Sequence, residues 1–192
     1  QVGTLSTAEV QALGTDIANM GTAAIAALTS AQVAALTTAQ IAALGSEDTG
    51  ALSSAAVVGL SSSQVAALST DAFGALGTDD LGQLTSAAVP GITSAQVGTL
   101  NTAEVQALGT DIATMGSAAM GALTSGQVDA LTAAQVDALG SEDVAALTTD
   151  GFSGLSTTDL SALTPAQVAG ITSAQVGTLS TAEVQALGTD IA

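Results

Sequence analysis

From Leu5 onward an aliphatic residue returns every eight positions, and a second one follows it five residues later. The units read L-S-T-A-E-V-Q-A, L-T-S-A-Q-V-A-A, L-T-T-A-Q-I-A-A, and keep this phase along the chain. The first position is Leu except at Met20, Ile92, Met115 and Ile171; the sixth is Val, Ile, Leu, Phe or Met in 20 of 21 octads, with Thr49 as the exception. Two units, Leu13–Asn19 and Leu108–Thr114, are one residue short. The polar positions obey their own rule. The second is Ser, Thr, Asn or Gly in all 21 octads, and the fifth is Gln, Glu or Asp in 15. These are the N-cap and N3 residues of a capping box. The first and sixth positions then form the N′ and N4 pair of a hydrophobic staple, and Pro165, at a third position, falls at N1, where its missing N–H costs nothing.

Each octad therefore predicts the start of a helix of one to two turns. Gly at seventh or eighth positions (Gly50, Gly59, Gly74, Gly91, Gly154, Gly170) is expected where the chain leaves a helix, and Pro90 removes a hydrogen bond from any longer one. One long helix is excluded, because eight residues overshoot two turns by about 80° and the Leu row would wind around the cylinder. So short a helix has no stability alone. The units must stack, burying the first and sixth positions together with small residues at the fourth and eighth. The expected fold is an all-α solenoid with one very short helix per octad. A β-solenoid is the alternative: the Val and Thr content favours it, but the five-then-three spacing places Leu and Val on opposite faces of a strand.

A longer period lies above the octad. Residues 1–18 recur unchanged at 175–192, and at 96–113 with Asn101 in place of Ser6, giving spacings of 95, 79 and, together, 174. The array reads as one continuous domain over 1–192 with sub-blocks at about 5–99, 100–178 and 179–192, taken from a longer chain. The two complete blocks differ by two units, which suggests that two octads form one coil of sixteen residues.

Composition narrows function. The chain has no Lys, Arg, His, Cys, Trp or Tyr against 17 acids, a net charge of -17. Without an imidazole, thiolate or amine, the usual bases and nucleophiles are missing, so no enzyme and no small-molecule substrate are expected. Without cations nothing neutralises phosphates, so no nucleic-acid partner is expected. No apolar run reaches the ~18 residues of a membrane span, which argues against membrane insertion. Paired acids at fourth and fifth positions, Glu47 and Asp48, Asp79 and Asp80, Glu142 and Asp143, are the candidate ligands for calcium, a hard cation that favours carboxylate oxygens. The competing reading is that acids in a first helical turn complement the helix dipole. No other cofactor is implied. The Ser/Thr rows are explained by capping, though a regular hydroxyl lattice on a rigid array would also suit ice or a polysaccharide. Phe73, Phe152, Met20 and Met115 occupy core positions.

Over its whole length the chain resembles the low-complexity L-T-x-x-Q-V-x-A-L arrays of very large bacterial surface or secreted proteins. The resemblance implies an extracellular or cell-surface structural role, as part of a filament, stalk or matrix fibre, with the same repeat as its own partner. A repetitive adhesion module for glycan, ice or calcium is the second reading.

Overall fold

The structure is a computed structural model that describes residues 2–188. It is all-helical, with no strand among the described residues, and the chain forms two compact units, Gln1–Thr99 and Leu100–Ala192. Each unit is a solenoid of very short helices.

The octad grammar fixes every α-helix. The twenty α-helices of the described residues all begin at a third position, run four to six residues, and take the preceding second position as N-cap. The fifteen of these N-caps that carry a side chain all accept the N–H of N3, satisfying one of the donors that a helix start leaves free. A six-residue helix then stops at the next Leu, which is extended; Leu36 (φ -63°, ψ 140°) is typical. The helices that run into the seven-residue units end differently. Leu13 stays helical (φ -64°, ψ -21°), Gly14 turns left-handed at φ 55°, and a 3-10 helix follows over Gly14–Asn19. Gly109, also at φ 55°, opens the matching segment Gly109–Thr114. The octad holding Pro90 is likewise reduced to a 3-10 turn, Val89–Gly91.

The first and sixth rows form the core, including Phe73 and Phe152. Met115 is buried and Met20 half-buried. Thr49, the polar exception, is also buried, and its hydroxyl donates to the Gly45 carbonyl at 3.0 Å. One expected row is corrected. The fourth position faces solvent, as at Ala31, Ala39 and Ala55, and the fifth is inside instead, as Ala56, Ala72, Ala88, Gln40 or Gln64. One residue is a 100° rotation on a helix, which carries the fourth position off the face that the sixth defines.

The coil is also larger than two octads. Thr38–Ala43 packs on Ser62–Ala67, Ser30–Ala35 on Ser54–Val57 and Ser46–Thr49 on Thr70–Gly74. In the second unit Ser125–Asp129 packs on Thr149–Phe152, and Thr157–Ala162 on Thr181–Ala186. Each partner is three units away, not two. The reason is geometric: two short helices back to back enclose no axis, whereas three or more sides let the first, fifth and sixth rows all point inward.

Glycine marks where the coils touch, between three and four units apart. A Cβ on Gly59, Gly91, Gly154 or Gly170 would lie under 3.0 Å from the carbonyl oxygen of Ser30, Ser62, Ser125 or Ser141, in each case 29 residues earlier. None of the four has a positive φ. They serve close backbone approach between coils, not the left-handed helix exit that their position suggests. Gly91→Ala is expected to destabilise its unit by about 3 kcal/mol or more, the range of overpacking with backbone displacement. Gly45, an N-cap with open space at its Cβ, accepts Ser with a gain of a few tenths of a kcal/mol. Urea denaturation of the two variants checks both; equal midpoints would remove the close-approach assignment.

Candidate functional site

Among the described residues, the extended polar system inside the units is built by the fifth-position glutamines. Gln64 shows the pattern. Its Oε1 accepts the backbone N–H of Ser61 at 2.8 Å and the Ser61 hydroxyl at 3.0 Å. Its Nε2 donates to the carbonyls of Val33 and Leu36, both at 2.8 Å. All four hydrogen-bonding positions of the amide are used: the oxygen caps the start of its own helix, and the nitrogen caps the end of a helix one coil earlier. Gln32 repeats this on Val2 and Leu5, and Gln96 on Val65 and Leu68. In the second unit Gln167 bonds Val136 and Leu139, and Gln175 bonds Val144 and Leu147. Over the seven-residue units the pattern stretches by one turn residue. Gln40 reaches Val10 at 2.9 Å and Gly14 at 3.2 Å; Gln135 reaches Val105 and Gly109 at the same distances. These glutamines are buried, and among the described residues no buried side-chain nitrogen or oxygen lacks a partner.

Sequence reasoning identifies the capping half of this system and misses the outer half. The signal was chemical: Gln and Glu complete a capping box equally well, yet the fifth position of this very acidic chain holds eight Gln and three Glu. Only the amide can donate to a neighbour's carbonyls. Glu9 is exposed and Glu183 half-buried, and both make the box alone, to Ser6 and Ser180.

The six candidate calcium ligands lie at helix starts in three separate octads. Glu47, Asp79 and Glu142 at fourth positions are exposed, whereas Asp48, Asp80 and Asp143 at fifth positions are half-buried, so the two members of a pair sit on different faces. Each pair follows a glycine N-cap that has no side chain to offer. The fifth-position acids take over polar duties: Asp143 accepts the Gly140 N–H at 2.8 Å, and Asp80 accepts the Ser54 hydroxyl at 2.7 Å from the preceding coil. Glu47 and Asp48 line an open depression of about 610 Å³ with Asn19 and Thr22; Asp79 and Asp80 line another of about 580 Å³ with Ser53 and Ser54. No three acidic side chains converge on a point that would hold a metal among the described residues. The geometry accounts for the acids as caps and dipole partners.

Three carboxylates depart from ordinary titration. Partial burial pushes Asp143 above the usual 3.8, outweighing the Gly140 N–H, with Glu142 adding repulsion. The Ser6 hydroxyl and N–H hold Glu9 below 4.5, and Ser180 does the same for Glu183. The signs oppose. Asp143 costs stability above its raised value, and the cost disappears as pH falls toward 3.8. Glu9 and Glu183 contribute stability that is complete above 4.5 and is lost as pH falls through their lowered values.

Repeats of the same kind are found elsewhere. Five successive segments, 15–46, 41–78, 73–110, 112–149 and 152–189, match the ALTTAQ repeat, and the six residues of that name stand at Ala35–Gln40. The chain belongs to the ALTTAQ repeat family. No curated protein matches it. The matched segments are 32–38 residues long, close to the 28–31 residues that separate Gln64 or Gln96 from the carbonyls it bonds.

Two substitutions test this chemistry. Gln64→Glu keeps the cap to Ser61 but turns a carboxylate oxygen toward two carbonyls. A loss of about 3 kcal/mol or more at pH 7 is expected, shrinking as the pH is lowered and the acid becomes a donor. A pH-independent loss in the melts would mean that the outward bond does not matter. Asp143→Asn retains an oxygen for the Gly140 N–H and removes the charge, so it should raise the melting temperature at pH 7 and leave it unchanged below pH 3.8.

Proposed function

We propose that this protein is a structural spacer: an elongated, acidic repeat solenoid within an extracellular bacterial filament, stalk or matrix fibre, non-catalytic, with more of its own repeat as its partner. The glutamine ladder is the observation that supports this reading. Each coil satisfies the backbone ends of the coil before it, so chain length is converted into stacked turns by one reused bond set. No imidazole, thiolate or amine side chain is present, and the polar side chains inside are consumed by the ladder and the caps. The charge suits exposure. Without Lys or Arg there is no trypsin-type cleavage site, and a uniform negative field keeps neighbouring arrays soluble and apart. No described helix is long and apolar enough to cross a membrane.

The test is length. At roughly 8–10 Å between packed helices and about 30 residues per coil, adding one 174-residue super-period should lengthen the particle by on the order of 50 Å without thickening it. Small-angle scattering on chains with one and two super-periods measures this, with calcium and then with excess chelator. A compact particle whose radius grows in all directions would overturn the spacer reading. An increment that disappears in chelator would favour a calcium-dependent binding module.

A further inference from the structure

The glutamine ladder has one wide gap in each unit. In the first it runs from Gln64 to Gln96, and in the second from Gln135 to Gln167, leaving residues 65–95 and 136–166, about a whole coil each, without a rung. The fifth positions within the gaps are Ala72, Asp80 and Ala88, and Asp143, Gly151 and Asp159. As methyl, hydrogen or carboxylate, none of them donates to a carbonyl of the coil before. Among the described residues, the side-chain hydrogen bond that ties residues 65–95 back to the preceding coil is the one from Ser54 to Asp80. Side chains of 136–166 bond locally, as Asp143 does to Gly140 and Asp159 to Ser156. What holds both stretches is apolar. Phe73 and Phe152, the two aromatic residues of the chain, are buried, one in each gap. Thr70–Gly74 packs on Ser46–Thr49, and Thr149–Phe152 on Ser125–Asp129. The two kinds of contact resist a pull differently. A hydrogen bond is lost once donor and acceptor move a few tenths of an ångström beyond ~3.2 Å, so it resists sharply over a short distance. Apolar burial declines in proportion to the area removed and yields gradually over the width of a side chain. Each Phe therefore keeps its stretch stacked at rest and leaves it soft under tension.

We propose that residues 65–95 and 136–166 are yielding stretches: under a pull on the chain they open before the glutamine-locked parts on either side, release their length, and restack when the load falls. The array is then extensible as well as long. Helices this short do not survive alone, so an opened stretch extends fully. Opening exchanges a rise of roughly 8–10 Å for extended chain on the order of 100 Å, at ~3.3 Å per residue. Restacking is fast for the same reason that opening is easy. The capping boxes and backbone bonds of these residues are local, so only the contacts between coils have to be found again. The inference deepens the spacer reading and rests on it for the source of the load, while the softness is a property of the two stretches themselves.

The whole chain, held by its two ends in an optical trap, is stretched and relaxed. Two early steps, each on the order of 100 Å, are expected to reverse on relaxation and to precede steps at higher force. Asp159→Gln keeps an oxygen for Ser156 and adds an amide toward the Val128 and Leu131 carbonyls, 31 and 28 residues back as in the bonds of Gln64. It should move one early step up to the force of the later ones and leave the other in place. Phe152→Leu should lower the force of that same step, and it decides alone if Asp159→Gln does not fold. Opening of each unit in a single event, or early steps that neither substitution moves, overturns the proposal. The spacer reading fails separately. A chain that scatters as a rod yet shows no early step keeps the spacer and loses the yielding stretches, and a compact particle with early steps does the reverse.

Discussion

A helix of four to six residues is almost all ends. The four N–H groups at its start and the four carbonyls at its finish have no partner within it, so the peptide groups of Thr38–Ala43 are mostly unsatisfied by the helix that contains them. Any fold made of such helices must first solve this saturation problem. Here one side chain solves both halves. The fifth-position glutamine accepts at the start of its own helix and donates at the finish of another, and the buried position it occupies is what brings the two ends together. Packing of the Leu and Val rows follows from that placement.

The same requirement explains the pattern of substitutions at the fifth position. Where Ala replaces Gln, as at Ala56, Ala72 and Ala88, the position stays buried and the cap is left to Ser53, Ser69 or a 3-10 turn. Where Asp replaces Gln beside a glycine N-cap, the carboxylate takes a local donor instead: Asp143 accepts the cap N–H of Gly140, and Asp80 accepts the Ser54 hydroxyl. These are alternative ways of closing one end when the other is closed differently. The acid pairs belong to this scheme, which is why their members face in different directions and do not assemble into a cage.

Much of the fold is legible in the sequence because its rules are local. Octad phase, N-cap identity and the first and sixth core rows involve residues no more than five apart, so Ser61, Gln64 and Val65 announce one another. Coil size is not legible. The bonds that define it, from Gln64 to Val33 and Leu36, span 31 and 28 residues, and the near-identity of the octads hides which pairs with which. The difference between the 95- and 79-residue blocks points to a two-octad coil, but that insertion is about half a turn of the actual one. The glycines mislead for a related reason. Gly59 and Gly91 stand where a helix ends, and their true constraint comes from a serine carbonyl 29 residues away. As for the candidate site, its residues are all visible in the sequence, and only the donor direction of the amide is not.

Among the described residues of each unit the backbone bonds to backbone only within four residues along the chain, and the coils are joined through side-chain amides. A parallel β-solenoid of similar repetitiveness would instead present a full row of backbone N–H and carbonyl groups at each end, a template on which almost any extended peptide can add as a further strand. Low-complexity sequences rich in Val, Thr and Ala are the ones most at risk of such adventitious growth. By reading its neighbour through Gln–carbonyl spacing instead of through a strand edge, this chain can be long, repetitive and crowded with copies of itself without offering a seed for amyloid.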